Sequence, residues 1–234
     1  MASRKDTLKH FLPLGLLCLA AVMVWVSGVH HYLSFEMVKV HREALKEFIA
    51  HHLLLSALIY IGLYISVVAL SIPGATFMTV MGGFLFGQLN GTTLVVIAAT
   101  LGSIVVFISA RAAAKGLLQT KLSPWLSKLE IGFKDNALNY LLVMRLIPIF
   151  PFFIVNLAAA VLLVPFRTFV IATFIGIIPG SFIYVSVGTG LGSIIDKNQA
   201  FTLSGILTPE ILASLIGLAI LSTLPIFYKR WQSH

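Results

Sequence analysis

Long apolar runs separated by short polar stretches dominate the chain, and each run is a candidate membrane span. The runs cover residues 11–29, 53–72, 75–91, 92–110, 138–163, 168–190 and 211–228. Between the first two, residues 34–52 alternate apolar and charged positions at helical spacing. This pattern predicts an amphipathic helix in the membrane interface. Its polar face is expected to consist of Lys39, Arg42, Glu43, Lys46 and Glu47.

Two apolar regions contain helix-breaking residues near their middle. Proline removes a backbone donor and clashes with the preceding turn, so residues 53–91 and 138–163 are each expected to form a broken helix pair. Non-helical backbone at membrane depth is tolerated only where it is buried in protein or lines a water-filled cavity. The predicted hairpin breaks are Pro73, Gly74, Pro148 and Pro151.

The basic residues decide between two topologies. The positive-inside rule places the clusters at 4–9, 111–134 and 229–230 in the cytoplasm. If every apolar run crossed, the last cluster would lie outside. If residues 53–91 and 138–163 each enter and leave by one side, all three clusters are cytoplasmic. We therefore predict an all-α integral membrane protein with four transmembrane helices, two opposed re-entrant helical hairpins, and cytoplasmic N- and C-termini.

On this topology each hairpin is followed by one spanning helix, which gives an inverted repeat of the kind found in secondary transporters. The internal sequence echo is weak, with SIPGATF at 71–77 beside LIPIFPF at 146–152. The predicted organisation has three parts. Residues 1–52 form a transmembrane helix and the interfacial helix, 53–195 form the core, and 196–234 form a last transmembrane helix and a tail.

Composition supports a membrane location and excludes several classes of protein. The chain is 59% hydrophobic and 10% charged, with a mean hydropathy of +1.00, whereas soluble domains carry about 25% charged residues. No stretch is polar and long enough for a soluble catalytic domain. The net charge of +8 is explained by topology and anionic lipid, so no nucleic-acid partner is predicted.

The sequence offers no candidates for catalysis, a cofactor or a metal site. The single cysteine, Cys18, excludes an internal disulfide and a cysteine metal cluster. The histidine pairs lack acidic or cysteine companions, and no His or Asp at membrane depth accompanies a serine. We therefore predict no enzyme activity, no cofactor and no metal. The histidine pairs are His30, His31, His51 and His52.

Three polar residues in apolar surroundings are the predicted substrate-binding residues: Arg145, Asn156 and Arg111. An arginine at mid-membrane costs about 2.5–3.5 kcal/mol on insertion scales and usually faces a cavity. The Arg145 guanidinium would bind a phosphate, or else bond to hairpin carbonyls or extend to the cytoplasmic face. Asn156 would either help to bind the anion or cap local backbone. Arg111 would either contact a headgroup at the cytoplasmic mouth or anchor its helix.

Glycines recur at four-residue spacing in two places. Small residues at this spacing let helices approach closely in lipid, so packing is the predicted role. A nucleotide-binding loop is excluded because no Gly-Lys-Ser/Thr follows and no βαβ pattern is present. The predicted packing glycines are Gly83, Gly87, Gly91, Gly176 and Gly180.

Four segments follow one another in a recognisable order: IPGATFMTVMGGFLFG at 72–87, GSIVVFISAR at 102–111, RLIPIFPFFIVN at 145–156 and GIIPGSFIY at 176–184. Together they resemble the DedA superfamily, and most closely its VTT-domain branch, also called the SNARE-associated Golgi protein family. The similarity covers roughly residues 60–195. It implies opposed re-entrant hairpins and movement of phospholipid or polyprenyl-phosphate headgroups between leaflets.

The resemblance also points to individual residues. The family's F/Y-x-x-x-R element matches Phe107 and Arg111. Its R-x-x-P-x-x-P…N element matches Arg145, Pro148, Pro151 and Asn156.

The chain departs from well-known bacterial DedA members, which carry acidic residues near the first hairpin that are associated with proton dependence. Here no Asp or Glu occurs between Glu47 and Glu130. The departure favours passive scrambling over carboxylate-based proton coupling.

The expected function is that of a lipid scramblase or flippase whose partners are membrane phospholipids or polyprenyl phosphate. Two alternatives stay open: a secondary transporter of a small soluble anion at the same site, and a membrane scaffold that binds lipids or proteins through the amphipathic helix and the Trp125 segment. The short polar termini and the lack of a targeting peptide favour a bacterial inner membrane. Homo-oligomerisation is left open by the sequence.

Overall fold

The computed structural model describes residues 40–71, 74–118, 136–146 and 150–196, together with positions 12, 15–17, 19, 23 and 216. Within this part all secondary structure is helical, as predicted. The helices are α1 (Arg42–His51), α2 (Leu53–Ala69), α3 (Ala75–Phe86), α4 (Gln88–Leu118), α5 (residues 136–146), α6 (Phe152–Val161) and α7 (Phe166–Asp196).

Several predicted elements lie outside the described residues. The spans predicted at 11–29 and 211–228 are outside apart from isolated positions, and so is the polar segment 119–135 that contains Trp125.

Helices α4 and α7 form the long axis of the fold. Within them, Gln88–Ala114 and Phe166–Ser193 are long and apolar enough to cross a membrane. The pair α1 and α2 would supply a third span if counted as one helix, but it is bent by 118°. An exposed apolar row runs down α4 at helical spacing, as expected of a face that contacts lipid. The row consists of Ile97, Leu101, Val105 and Ile108.

The two long helices run antiparallel. At the start of α4, Gln88 donates from Nε2 to the Phe182 carbonyl, 3.0 Å away in the second half of α7. Further along α4, the Phe107 ring stacks on Phe169, near the start of α7, with centroids 4.2 Å apart. The two ends of α7 therefore lie at opposite ends of α4.

The first broken pair, α2 and α3, is joined by buried hydroxyl bonds. The Tyr60 hydroxyl donates to the Met78 carbonyl at 2.7 Å, and the hydroxyls of Tyr64 and Thr79 are 2.9 Å apart. Helix α3 ends because Gly87 adopts φ +75°, a backbone conformation that a side chain disfavours. Both helices pack on α4, and α3 also packs along α7.

The second broken pair is α5 and α6. Pro151 immediately precedes α6 with φ −55°, close to the value that the proline ring fixes. The inner face of α6 packs on α4 through small and branched side chains, including Val155, Ala159 and Ala160, which are almost fully buried in a cluster that also contains Phe169 of α7. Helix α6 is short, so its first turn lies at the break and its last turn lies at the exit of the pair.

The prediction that Arg42 faces water on the polar side of the amphipathic helix is wrong. Arg42 is only 5% exposed. Its guanidinium lies 4.2 Å from the Phe84 ring centroid and donates from Nη1 to the Gly192 carbonyl at 2.5 Å. The helical period gives the face that a residue occupies but not what packs against it, and carbonyls at helix ends attract a cation.

Candidate functional site

Arg145 lies in the last turn of α5 and reaches across the second hairpin. It donates from Nη2 to Asn156 Oδ1 at 2.6 Å and to Thr173 Oγ1 at 2.9 Å. Its guanidinium also lies 4.6 Å from the Phe152 ring centroid, close enough for a cation–π interaction. Three helices thus position one charge. Both hydrogen bonds go to side-chain oxygens and not to backbone carbonyls.

Several donors at this charge have no partner among the described residues. They include Arg145 Nε and Nη1, both inaccessible to solvent, and Asn156 Nδ2. Asn156 is fully buried. An unsatisfied buried polar group costs about 1–3 kcal/mol, and more when it is charged. The arrangement is therefore incomplete as protein alone, and an anion that accepts from these donors would complete it.

Residues from both broken pairs line one cavity of about 290 Å³, which we call the hairpin cleft. Of the described residues that line it, Arg145 alone is charged, and no carboxylate balances it. The rest of the wall combines hydroxyl groups, aromatic rings and aliphatic side chains. The polar and aromatic lining residues include Tyr64, Thr76, Thr79, Arg145, Phe152, Ser181 and Tyr184.

Two helix N-termini also face the hairpin cleft. Ala75 and Thr76 begin α3, and Pro151 and Phe152 begin α6; all four line the cleft. Neither helix has a side-chain cap on its first backbone N–H groups. Free N–H groups and the helix dipole favour negative charge at such an end. Together with Arg145 they make the cleft electropositive.

The predicted break residues are distributed around this region. Gly74 precedes α3 and Pro151 precedes α6, and both line a second, adjoining cavity of about 580 Å³. One described residue from each predicted break therefore lies at the same cavity. Pro73 and Pro148 lie outside the described residues.

Arg111 does not line the hairpin cleft. Its guanidinium donates from Nη1 to the Val164 carbonyl and from Nη2 to the Leu163 carbonyl at 3.2 Å, directly after α6 ends. It also lies 5.2 Å from the Phe107 ring centroid. In this conformation Arg111 holds the exit of the second hairpin.

Three of the predicted packing glycines lie at close contacts between elements. A Cβ at Gly83 would overlap the Val185 carbonyl, one at Gly91 would lie 2.7 Å from the Gly82 carbonyl oxygen, and one at Gly176 would lie 2.7 Å from Arg145 Cβ. Gly87 is needed for its backbone conformation. Gly180 lines the hairpin cleft and has open space at its Cβ.

Gly188, at the same four-residue spacing further along α7, lies at a close approach of α7 to α3. A Cβ there would overlap the Val80 carbonyl oxygen. We expect Gly188→Ala to lower the melting temperature of the purified protein, because overpacking of this kind costs about 1–3 kcal/mol. Gly180→Ala is the matched control, since it adds the same methyl to the same helix in open space. Equal melting temperatures would contradict the contact.

The sequence did not single out several residues of the site. Thr173 accepts a second hydrogen bond from Arg145 Nη2, and Tyr64 and Thr79 supply hydroxyls to the cleft. Threonine and serine are common in membrane helices, so only their positions in the fold reveal these roles. Among the described residues no cluster of metal-ligating side chains is present.

Comparison with known proteins places the site within a family. Residues 72–190 match the VTT domain. The chain is 34% identical to the Transmembrane protein 41 homolog of Dictyostelium discoideum over 84% of this chain and 58% of the relative. It is 30% identical to the Caenorhabditis elegans homolog over 71% of this chain and 67% of the relative. For human Transmembrane protein 41B the identity is 27%, over 73% of this chain and 58% of the relative.

The matched part of the chain corresponds to about three fifths of the length of most of these relatives. No solved structure matches the chain. The VTT match covers just over half of the chain and includes both predicted breaks, Arg145 and every described lining residue of the hairpin cleft except Tyr64. This chain therefore belongs to the VTT-domain family of membrane proteins.

Proposed function

We propose that the protein moves the phosphate headgroups of lipids, either phospholipids or polyprenyl phosphates, from one membrane leaflet to the other. The observation that carries the proposal is the set of buried, unpaired donors on Arg145 and Asn156 at the wall of the hairpin cleft. A phosphate oxygen accepts from guanidinium and amide donors and brings the negative charge that the cleft lacks. The acyl chains would stay in lipid while the headgroup passes.

The path of the headgroup depends on the topology that we propose. Four spanning helices would enclose two re-entrant hairpins, which enter from opposite faces. In support, the end of α3 returns to α1, where Arg42 donates to the Phe84 carbonyl at 3.4 Å, so α2 and α3 begin and end at one side. The exit of α6 lies at the other end of α4, beside Arg111. The cleft between the tips would then lie near the middle of the membrane.

Passive movement is favoured over proton-coupled transport. No carboxylate lies among the described lining residues of the hairpin cleft, and the sequence from 48 to 129 has no Asp or Glu. The chemistry of the cleft is binding and release, so we propose transport and not catalysis. The bacterial inner membrane and the cytoplasmic termini stay predictions from the sequence, as does any homo-oligomer.

The first test is lipid movement by the purified protein in liposomes that contain a fluorescent phospholipid. A membrane-impermeant reductant bleaches the outer leaflet, so we expect bleaching to pass well beyond half only when the protein is present. Bleaching that stops near half, in liposomes shown to contain folded protein, would contradict scrambling of common phospholipids. The same assay with a labelled polyprenyl phosphate tests the other headgroup source.

A soluble anion could accept hydrogen bonds from the same donors, so transport of a small anion is tested in a separate experiment. Uptake of radiolabelled inorganic phosphate into protein-containing liposomes, with no movement of labelled lipid, would favour a small-anion transporter. If neither ligand moves, a scaffold without transport becomes the better interpretation. We expect lipid movement and no phosphate uptake, because the hairpin cleft is walled largely by apolar groups that suit a lipid's glycerol and chains.

A further inference from the structure

Two arginines outside the hairpin cleft make the same kind of contact at two places in the fold. Arg42 donates to the carbonyls of Gly192 and Phe84, at 2.5 and 3.4 Å. Arg111 donates to the carbonyls of Leu163 and Val164. Phe84 lies in the last turn of α3, and Leu163 directly follows α6. Each guanidinium therefore binds the exit of the second limb of one hairpin; we call Arg42 and Arg111 the exit arginines.

The exit arginines lie at opposite ends of the fold. Arg42 binds α7 near its C-terminal end, at Gly192, whereas Arg111 binds the chain directly before α7 begins at Phe166. At 1.5 Å per helical residue, Phe166 and Gly192 are about 39 Å apart. That distance exceeds the roughly 30 Å hydrocarbon thickness of a bilayer. On the topology and function that we propose, one exit arginine therefore lies near each membrane face.

Each exit arginine holds the far end of a limb whose near end forms the cleft. Helix α3 is about 18 Å long and α6 about 15 Å long. Their first residues, Thr76 and Phe152 among them, line the hairpin cleft. A short rigid helix fixed at one end has a fixed tilt, so releasing the exit of a limb lets its tip move within the cleft.

Aromatic stacking connects one exit arginine to the binding site itself. The Arg111 guanidinium lies 5.2 Å from the Phe107 ring centroid. Phe107 stacks on Phe169 at 4.2 Å, and the Arg145 guanidinium lies 5.7 Å from the Phe169 centroid. A headgroup that pulls on Arg145 therefore acts on a contiguous set of packed groups that ends at Arg111.

We propose that the exit arginines are positioning residues that decide which membrane face the hairpin cleft opens to. With both sets of carbonyl bonds made, as in this structure, both limbs are held in place. Loss of the Arg42 bonds frees α3 and opens the cleft to the α1 side, and loss of the Arg111 bonds frees α6 and opens it to the opposite side. This pair of bonds provides the opposite-facing states that transport needs.

The test measures access to the cleft from each side and does not depend on lipid movement. The native Cys18 is replaced with serine, and Ser181→Cys places a single thiol in the hairpin cleft, where Ser181 is 9% exposed. Membrane-impermeant maleimide is added to one side or the other of proteoliposomes of determined orientation. The measured quantity is the labelling rate from each side. A negative result in this assay can be distinguished from a failure of the proposed function, because labelling does not require lipid movement.

We expect Arg42→Gln to raise labelling about tenfold from the α1 side only, the shift expected on losing one charge-assisted hydrogen bond. Arg111→Gln should raise labelling by a similar factor from the opposite side only. Arg167→Gln is the matched control, because Arg167 is exposed and lies at the same end of α7 as Arg111. It should leave both rates unchanged.

Lysine variants keep the test informative if glutamine at either position prevents folding. Arg42→Lys and Arg111→Lys retain the charge but lose the bidentate geometry of the guanidinium. Each should therefore raise the labelling rate from the same side as the glutamine variant, by a smaller factor. A merely structural role would raise labelling from both sides together, in step with a lower melting temperature. That result, or unchanged rates in folded variants, would overturn the proposal.

Discussion

Replacing Arg145 with alanine is expected to lower the rate of lipid movement by roughly 10- to 150-fold. Arg145 is the one charged residue among the described lining of the hairpin cleft. A hydrogen bond to a charged group is worth about 1.5–3 kcal/mol, which corresponds to that factor. The variant also removes the partner of Asn156 Oδ1. The measurement is the bleaching assay with fluorescent phospholipid in liposomes.

Two control variants separate binding from structure. Arg145→Lys keeps the charge but lacks the planar guanidinium group, which binds a phosphate through two parallel hydrogen bonds. We therefore expect its rate of lipid movement to lie between those of the wild type and the alanine variant. Arg167→Ala removes an exposed arginine and should leave the rate unchanged. Melting temperature and gel filtration verify that each protein is folded. A folded Arg145→Ala protein that moves lipid at the wild-type rate would exclude Arg145 from the path.

The described helices follow closely from the apolar pattern, for reasons that lie in single residues. Gly74 and Pro151 stand directly before α3 and α6, where a helix-breaking residue interrupts each apolar run, and both line one cavity. The apolar pattern underestimates the length of the two long helices, since α4 reaches Leu118 and α7 reaches Asp196. Polar residues in the outer turns of a spanning helix do not end it. Hydropathy measures the apolar part of a helix and not its full length.

The site was predictable in part. Arg145 and Asn156 were identified together because a charge and an amide in an apolar run are rare, and the structure brings them within 2.6 Å. Thr173 follows 28 residues after Arg145, on another helix, and nothing local distinguishes it from other threonines. The pairing depends on how α5, α6 and α7 pack, which no periodicity encodes.

Arg42 shows the opposite limit. Its neighbours are charged, so the helical period assigned it to the polar face, yet it is buried against Phe84. Its partners are the backbone carbonyls of Phe84 and Gly192, and backbone acceptors carry no signature in an amino-acid sequence. The same reason explains why the carbonyl contacts of Arg111 were not predicted. Residues that bind helix ends are therefore best found from the structure.

A bulky residue in place of Thr76 is expected to stop lipid movement by blocking the hairpin cleft. Thr76 is exposed at the start of α3 and lines both the hairpin cleft and the adjoining cavity. We expect Thr76→Trp to bring the bleaching of labelled lipid down to that of protein-free liposomes, because an indole there would occupy the space between the two hairpin tips. Its exposure means that the ring has room to be accommodated without disturbing the core.

The matched control is Thr93→Trp, which places the same side chain at an exposed threonine of α4 that lines neither cavity. It should move lipid at the wild-type rate. The comparison separates two routes for the headgroup, through the meeting point of the tips or along the outer surface of the helices. If a folded Thr76→Trp protein moved lipid at the wild-type rate, the route of the headgroup would lie outside the cleft. Any effect of Arg145 on lipid movement would then not require the headgroup to enter the cleft.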